Sequence, residues 1–247
     1  MKILALETTE KFGSIALLDR NHILAETILP KDKRSSQTLH PALNSLLEQT
    51  QTTPTEIAVV AVVAGPGSFT GLRVGVTVAK VFAYAAGANV IALDTFQTVA
   101  SAVSTHSGFI SVGVDAQRGE VAAAILYHTA RGLEIIKAPG LISVADWWKH
   151  AEEYDNVLFA GPALEKWSGK APPHIVLAEE SDWFPKASWA GKLAAKRITP
   201  EKFDDVWTLL PIYSRLSAAE EKQNMQPQHH TVPQPSESKS KCTQAGG

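Results

Sequence analysis

Cysteine is almost absent from this chain. Cys242 is the only one in 247 residues, and it lies in a polar C-terminal stretch where it has no second cysteine to pair with. A chain without internal disulfides fits a reducing compartment, so we expect the cytoplasm. Long apolar runs are also absent: Glu7 interrupts the first one, and no run approaches the roughly 20 apolar residues of a membrane-spanning helix. The sequence therefore predicts neither secretion nor membrane insertion.

The chain also has no excess of basic over acidic residues. The chain has 23 Lys and Arg residues against 25 Asp and Glu residues, and its sequence pI is near 6.4. Such a chain has no broad positive field to attract a phosphate backbone, and we do not expect it to bind RNA tightly on its own. Hydrophobic residues make up 45% of the sequence, which is enough for a substantial core. The composition is typical of a soluble globular protein.

The sequence shows no pattern of metal ligands or nucleophiles. Its histidines before the C-terminal stretch are scattered, without the H-x-x-x-H or H-E-x-x-H spacing of metal sites. They are His22, His40, His106, His128, His150 and His174. With the lone cysteine near the C-terminus and no recognisable serine motif, a nucleophile and base pair is not predicted either. We therefore predict no catalytic residue and no metal ligand in this chain.

The last part of the sequence, 217–247, is rich in Gln, Ser, Lys, Pro and His and nearly free of large apolar residues. A stretch of this composition cannot bury enough apolar surface to offset the entropy of ordering, so it is predicted to be a disordered tail. His229 and His230 are adjacent in it. Solvated polar side chains are the favoured interpretation of that pair over a metal site.

The rest of the chain shows the same order of elements twice. Strand-like and helix-like patterns predict βββαβαβα in each half, which indicates a duplicated α/β fold with a cleft between two like units. The strands are predicted at 2–7, 12–18, 22–29, 57–64 and 89–93, and then at 109–114, 120–127, 133–137, 156–160 and 175–178. We predict subdomains at 1–104 and 105–199, the first one completed by about 200–216.

Helix ends are signalled locally. Thr53 and Glu56 form a capping box, and Asp94 or Thr95 caps the helix after the fifth strand. Pro41 either starts or kinks the first helix. Short repeats also support the duplication: an Ala-Gly-Pro tripeptide follows the fourth strand of each half, and a carboxylate ends the first strand of each half.

The segment GPGSFTGLRVG, at 65–75, is the most informative one. Glycines permit positive φ and close approach, and the N–H groups of a helix start favour an anion. Gly65, Pro66, Gly67 and Ser68 are therefore candidates for a nucleotide or phosphate loop, while a tight packing turn between strand and helix is an equally good interpretation. No Gly-Lys-Ser/Thr follows, and Ser68 is not the centre of a G-x-S-x-G sequence, which excludes a P-loop and a nucleophile elbow.

Two hairpin loops supply further candidates. Glu7 with Thr8 and Thr9 ends the first strand, and Asp115 with Arg118 lies between the sixth and seventh strands. These positions resemble the hairpin loops that hold phosphate and metal in actin-like kinases. An ordinary hairpin turn and a solvated carboxylate at a strand end explain each of them as well.

Taken together, several segments resemble the TsaB family. They are ILALETT followed by GSIALL near the N-terminus, the glycine loop, DAQRGEV at 115–121 and PIYSR at 211–215. The glycine loop is the most specific of them, and its family motif includes Phe69, Thr70, Gly71, Arg73 and Gly75. The resemblance extends from Met1 to about Arg215 and places the chain among the Gcp-like, or glycoprotease-like, proteins.

This resemblance implies the duplicated actin-like (ASKHA) fold of Hsp70 and the sugar kinases. It also implies a non-catalytic subunit required for threonylcarbamoyl transfer to the adenosine beside the anticodon of tRNAs. Such a subunit binds and stabilises its catalytic paralogue, TsaD, as a heterodimer through helices at about 35–49 and 71–87. TsaE is implied as a helper ATPase, and TsaC as the source of threonylcarbamoyl-adenylate. No intrinsic cofactor is implied, while weak ATP or ADP binding with Mg²⁺ at the interface with TsaD, and a homodimer of the chain alone, stay open.

In the catalytic paralogue, a histidine pair four residues apart follows the strand after the glycine-loop helix and holds the metal. The matching positions here are Thr95 and Val99, and neither side chain replaces a histidine ligand. The resemblance thus predicts a pseudo-enzyme. The alternatives are a stand-alone actin-fold ATPase or phosphotransferase that uses Glu7, Asp115 and the glycine loops, and a metallopeptidase.

Overall fold

The computed structural model describes residues 1–129, 132–199 and 203–215. The predicted tail at 217–247 lies outside these residues, together with Cys242, His229 and His230. Residues 200–202 and 216 of the stretch expected to complete the first subdomain lie outside them as well. Within the described ranges, no helix is long and apolar enough to cross a membrane.

Strands from the first half form one five-stranded sheet. They are β1 (Lys2–Glu7), β2 (Ser14–Asp19), β3 (His22–Ile28), β4 (Ile57–Gly65) and β5 (Asn89–Asp94). The order is β3-β2-β1-β4-β5, with β1 antiparallel to β2 and parallel to β4. Nearly every residue of β1 and β4 is buried, because helices cover both faces of the sheet at these central strands.

Strands from the second half form another five-stranded sheet. They are β6 (Phe109–Asp115), β7 (Glu120–Thr129), β8 (Gly132–Ser143), β9 (Val157–Ala160) and β10 (Val176–Leu177). The order is β10-β9-β6-β7-β8, and the central β6 is antiparallel to β7 and parallel to β9. The second sheet therefore repeats the arrangement of the first.

Seven α-helices lie in the described ranges. They are α1 (Ser35–Gln49), α2 (Phe69–Ala86), α3 (Thr95–Ala102), α4 (Val144–Trp148), α5 (His150–Glu153), α6 (Leu164–Trp167) and α7 (Ala187–Arg197). If the adjoining α4 and α5 are counted together, both halves follow the predicted βββαβαβα order. The predicted duplication of elements is confirmed.

The local signals for helix ends are confirmed as well. In the capping box, the Thr53 N–H donates to Glu56 Oε2 at 2.7 Å. Asp94 is the cap of α3, and its Oδ1 accepts a backbone N–H three residues on at 2.7 Å. Pro41 lies inside α1 and does not start it.

Two strands differ in extent from the prediction. β8 is 12 residues long, whereas the pattern predicted 133–137. It continues through Pro139 for two reasons: β8 is an edge strand, and its pairing with β7 contains a bulge at this point. In the part of the chain that the structure describes, no further strand pairs with the outer side of β8, so the missing N–H of proline breaks no hydrogen bond between strands there. β2 begins two residues later than predicted, since Phe12 lies in the preceding turn and packs its ring edge-on against Phe184.

Helices are exchanged between the halves. α7, from the second half, buries Ala187, Ala190 and Ala194 against the first sheet. α3, from the first half, buries Phe96 and Val99 against the second sheet. Each sheet thus completes its core with a helix from the other half. The subdomain boundaries at 104 and 199 stay a prediction.

The C-terminal stretch, 203–215, runs across both halves. Asp204 accepts a backbone N–H of β5 at 2.7 Å, and Lys80 of α2 donates to two carbonyls of the stretch at 3.1 Å. The Ile212 N–H donates to a carbonyl near the end of β4 at 2.7 Å. Arg215 pairs with a glutamate at the start of β7. The stretch therefore connects the edge of the first sheet, α2 and the second sheet.

Candidate functional site

The loop between β1 and β2 lies directly against the glycine loop. Thr8 and Thr9 of this hairpin loop are buried, with 1% and 0% of their surface exposed. The Thr8 hydroxyl donates to the Gly71 carbonyl at 2.8 Å, and the Ser68 N–H donates to the Thr9 carbonyl at 2.6 Å. The two loops therefore satisfy each other's polar groups.

Glycine is required where α2 meets this hairpin loop. A Cβ on Gly71 would overlap the carbonyl oxygen of Thr8, and a Cβ on Gly75 would overlap the Thr8 hydroxyl. A Cβ on Gly67 would lie 2.6 Å from the Thr9 carbonyl oxygen. The glycines thus admit protein backbone at close range, which favours the packing interpretation of the loop.

The start of the glycine loop is anchored by two other elements. Gly65 has a φ of +128°, and a Cβ there would overlap the Ile212 carbonyl of the C-terminal stretch. The Pro66 carbonyl accepts the hydroxyl of Thr95 at 2.6 Å. Both residues are therefore in contact with chain segments distant in sequence.

The first turn of α2 has an outward-facing cluster. The Arg73 guanidinium lies 3.9 Å from the centre of the Phe69 ring and donates to the Tyr213 hydroxyl at 3.0 Å. The rings of Phe69 and Tyr213 are 4.9 Å apart. Ser68 caps the helix by accepting the Gly71 N–H at 3.3 Å, and Thr70 is exposed beside it.

Glu7 is a fully buried carboxyl group. Its Oε1 accepts the Thr9 N–H at 2.5 Å and the Thr9 hydroxyl at 2.7 Å, while its Oε2 is buried without a hydrogen-bond partner. Burial raises the pKa of Glu7 to about 8, and the hydrogen bonds from Thr9 offset only part of that effect. A proton on Glu7 near neutral pH avoids a buried unpaired charge.

Glu10 is half-buried beside Glu7. Burial raises the pKa of Glu10 to about 8, and the charges of Glu7, Glu165 and Asp115 act in the same direction. Lys11 opposes them. Carboxyl groups from both halves therefore act on Glu10.

The second hairpin loop also uses its polar groups internally. Asp115 accepts the Gln117 N–H at 3.2 Å and the Lys166 ammonium at 3.1 Å. Gln117 and Arg118 both have positive φ, as in a tight hairpin, and Arg118 is exposed. After β9, Gly161 has a φ of +108° and packs against the backbone of β6. The second half thus repeats the glycine turn of the first.

The structure brings together every candidate of the first half, namely Glu7, Thr8, Thr9, Gly65, Pro66, Gly67 and Ser68. Asp115 of the second hairpin contacts Lys166 of its own half and acts only electrostatically on Glu10, whereas Arg118 is exposed at the hairpin tip. The phosphate-loop interpretation of these residues stays a prediction. In the described ranges, no three His, Cys, Asp or Glu side chains are arranged to hold a metal ion.

Sequence reasoning missed four charged residues of this region. They are Glu10, Lys11, Glu165 and Lys166. The sequence contains a signal for them, namely a Glu-Lys pair beside each candidate loop. Glu10-Lys11 follows Glu7-Thr8-Thr9, and Glu165-Lys166 closely follows the second Ala-Gly-Pro tripeptide.

A groove opens between β8, the start of α3 and the C-terminal stretch. Its volume is about 360 Å³, and its described lining is mostly apolar. The lining residues are Pro66, Asp94, Phe96, Ala122, Ile135, Pro139, Gly140, Leu141, Ile212, Tyr213 and Ser214. None of these side chains is basic, and burial raises the pKa of Asp94. The groove is therefore poorly suited to an anionic ligand.

The packing interpretation of the glycine loop predicts a large effect of Gly71→Ala on stability. The new methyl group would displace the Thr8 backbone and cost about 2–4 kcal/mol, seen as a melting temperature lower by roughly 5–10 °C. Gly169→Ala is the control, because a Cβ there meets nothing within 4 Å. If the Gly71→Ala protein had the same melting temperature as the wild type, the packing interpretation would be contradicted.

The buried carboxyl of Glu7 predicts a pH-dependent effect of Glu7→Gln. The folded pKa of about 8 lies above the ordinary value of 4.5, so the wild type loses stability as the pH rises between these values. The amide keeps the oxygen that accepts from Thr9 and cannot ionise. We expect the variant to be more stable than the wild type by on the order of 2–4 kcal/mol at pH 8, and nearly equal to it at about pH 5.

Thermal unfolding from about pH 5 to pH 8 measures this effect. Glu48→Gln, on the exposed face of α1, is the control and should follow the wild type at every pH. A difference between Glu7→Gln and the wild type that stays constant across this range would show that Glu7 does not hold a proton in the folded state.

Comparisons with known proteins point to the proteins that make threonylcarbamoyladenosine in tRNA. A family model described as "TsaD: tRNA N6-adenosine threonylcarbamoyltransferase" matches residues 22–186. The tRNA threonylcarbamoyladenosine biosynthesis protein TsaB of Bacillus subtilis (strain 168) is 31% identical over 236 residues, which cover 90% of this chain and 97% of that protein. The protein of the same name from Escherichia coli (strain K12) is 32% identical over 124 residues, or 49% of this chain and 53% of that protein.

Solved structures show the same fold. YeaZ from Pseudomonas aeruginosa aligns with a TM-score of 0.71 and 22% identity over 86% of this chain and 99% of that chain. A second structure, an uncharacterized protein from Pseudomonas aeruginosa with similarity to peptidase YEAZ, aligns with a TM-score of 0.73 and 23% identity over 87% and 99%. The expected duplicated actin-like fold is confirmed. Since 31% identity extends over nearly the whole of both chains, the chain belongs to the TsaB family.

Proposed function

We propose that this chain is a non-catalytic subunit in the biosynthesis of threonylcarbamoyladenosine in tRNA. Its task is to bind and stabilise the catalytic paralogue TsaD in the cytoplasm. TsaC supplies the threonylcarbamoyl-adenylate for the reaction, and the ATPase TsaE assists it. Its relatives are named as proteins of tRNA threonylcarbamoyladenosine biosynthesis, which supports a role in this pathway. The contacts of its own residues support the non-catalytic role.

The positions of Thr95 and Val99 support the non-catalytic role most strongly. They match the histidine pair that the resemblance assigns to the metal site of the catalytic paralogue. Both are fully buried: the Thr95 hydroxyl donates to the Pro66 carbonyl, and Val99 packs in the core between α3 and the second sheet. A side chain packed in a core cannot coordinate a metal in a cleft.

The contacts of the cleft also argue against nucleotide turnover by this chain alone. The groups that a phosphate would need on the first hairpin are used within the protein: the Thr8 hydroxyl donates to Gly71, and the Thr9 N–H and hydroxyl both donate to Glu7. We therefore propose no intrinsic cofactor. Weak binding of ATP or ADP with Mg²⁺ at the interface would have to rely mainly on groups of TsaD.

The outer surface of α2 is our candidate for the contact with TsaD. Val81, Tyr84 and Trp207 are 63%, 70% and 71% exposed, and the rings of Tyr84 and Trp207 are 5.3 Å apart. Leu210, on the same C-terminal stretch, is 71% exposed. Exposed aromatic clusters of this kind are frequent at the centre of protein interfaces.

The outer face of α1 is different, although the resemblance assigned both helices to the interface. Its buried side chains face the core, and its exposed residues are mostly polar. A polar helix face suits the rim of an interface better than its centre. We therefore propose α2 and the residues from Trp207 to Tyr213 as the centre of the contact, with α1 at its edge.

Co-expression with TsaD from the same organism tests the proposed function. We expect a heterodimer in size-exclusion chromatography, and threonylcarbamoylation of tRNA by TsaC, TsaD and TsaE that stops when this chain is omitted. The chain alone should show no magnesium-dependent nucleotide turnover. Full tRNA modification without this chain, or a failure to form any complex, would reject the proposal.

The exposed aromatic cluster predicts the effect of the double variant Tyr84→Ala and Trp207→Ala. Each side chain is mostly exposed in the isolated chain, so the fold should keep its stability. Loss of two anchors should weaken binding to TsaD at least about tenfold in isothermal titration calorimetry, equal to about 1.4 kcal/mol. If the chain self-associates when alone, the same variant shows whether that contact uses this surface.

The double variant Ile28→Ala and Val176→Ala is the matched control. These apolar side chains are 67% and 58% exposed and lie on β3 and β10, away from α2. We expect the control to bind TsaD like the wild type. If both double variants lost the same affinity for TsaD, the assignment of α2 to the centre of the interface would be wrong.

A further inference from the structure

The second half contains a buried histidine whose two ring nitrogens both have polar neighbours. His150 begins α5, and only 2% of its surface is exposed. Its Nδ1 lies 3.0 Å from the hydroxyl oxygen of Ser111 on β6, and its Nε2 lies 3.4 Å from the ammonium of Lys137 on β8. The ring therefore connects a buried hydroxyl with a charged group at the protein surface.

These contacts select one tautomer of the neutral ring. An ammonium group has three donors and no acceptor, so the Nε2 that faces Lys137 is the nitrogen without a proton. The proton then lies on Nδ1 and is donated to the Ser111 oxygen. The same oxygen accepts the indole N–H of Trp147 at 2.9 Å. Ser111 thus joins His150 to Trp147 by two hydrogen bonds.

Trp147 is a central side chain of the core that α4 and α5 form with the second sheet. It is fully buried, and its ring lies 4.5 Å from that of Trp148 and 5.6 Å from that of Phe159. It also lies so close to Gly113 of β6 that a Cβ there would overlap the indole ring. The position of Trp147 is therefore set by tight packing together with its hydrogen bond to Ser111.

A second proton on His150 would be placed unfavourably. It would arrive at Nε2, opposite the positive charge of Lys137 and out of contact with water. Glu153 attracts this proton, but its carboxylate already accepts the Lys137 ammonium at 2.8 Å. Accordingly, burial and then the charge of Lys137 lower the pKa of His150, and Glu153 offsets only part of the shift.

The remaining charged groups near His150 lie at the surface. Lys149 is exposed and paired with Asp146 at 2.7 Å, and Glu152 is exposed. The ring of Tyr154 lies 6.4 Å from the imidazole and meets it edge-on. Lys137 and Glu153 are therefore the charges that decide whether the ring accepts a proton.

We propose that His150 is an acid-sensitive latch in the second half. Its neutral ring holds Trp147 through Ser111, and protonation of the ring loosens the cover that α4 and α5 form on the second sheet. This inference concerns the chain by itself and does not depend on its partnership with TsaD.

The latch predicts how stability changes with pH. Because the folded pKa of His150 lies below its ordinary value of 6.5, the unfolded chain takes up a proton that the folded chain refuses. The stabilisation is therefore complete above about pH 6.5 and is lost as the pH falls below it. In His150→Asn, the amide keeps an N–H for Ser111 and cannot ionise.

Urea unfolding of the full chain from about pH 5 to pH 8 measures this loss. Below about pH 6.5, the unfolding constant of the wild type should rise relative to that of His150→Asn by up to about tenfold per pH unit. A ratio that stays constant over the whole range would reflect only the smaller side chain and would overturn the proposal. His40→Asn, on the exposed face of α1, is the matched control and should follow the wild type.

Nuclear magnetic resonance tests the tautomer directly. In long-range proton–nitrogen spectra near pH 7.5, the His150 ring should carry its proton on Nδ1, and its signals are identified by their loss in His150→Asn. On acidification, the indole N–H of Trp147 should exchange with solvent faster in the wild type than in this variant. A proton on Nε2 at neutral pH, or equal exchange in both proteins, would contradict the latch.

A second pair of variants keeps the test valid should His150→Asn fail to fold. Lys137→Met removes the ammonium beside Nε2, so we expect a smaller loss of stability below about pH 6.5 than in the wild type. Lys149→Met removes the same charge from an exposed ion pair of similar geometry and should leave the pH profile unchanged. Equal profiles for the two lysine variants would reject the role of Lys137.

Discussion

The close approach of α2 to the hairpin between β1 and β2 is the contact on which the rest of the structure depends. Gly71 and Gly75 bring the helix backbone against Thr8, and the Thr8 hydroxyl and the Ser68 N–H complete the hydrogen bonds between the loops. There is no room for a side chain at these two glycines. The contact therefore fixes the direction of α2 relative to the first sheet and sets which face of α2 is exposed.

The exchange of helices adds a second constraint. Because α7 covers the first sheet and α3 covers the second, neither half has a complete core from its own sequence. The C-terminal stretch, 203–215, then connects β5, α2 and β7 by hydrogen bonds and an ion pair. Trp207 lies on this stretch and packs against Tyr84 of α2, so the aromatic cluster is built from two segments far apart in sequence. A surface of this kind exists only when the whole chain has folded.

Local features of the fold could be predicted from the sequence, whereas distant contacts could not. The capping box at Thr53 and the cap at Asp94 are signals within four residues, and both are confirmed. The contact of Gly71 with Thr8 joins residues 63 positions apart, and the same glycines fit a phosphate loop and a packing turn equally well. An apolar helix stripe shows that one face is buried without showing which sheet covers it, so the exchange of α3 and α7 could not be foreseen.

The candidate site illustrates the same limit. Glu7 could be found because it ends a strand, but Lys11 and Lys166 look like ordinary surface lysines until the fold brings them to carboxylates. The Thr8 hydroxyl, the Thr9 hydroxyl and the Asp115 carboxylate already have partners within the chain. Because a preorganised body loses little entropy on association, these internal contacts fit the proposed role as a binding partner.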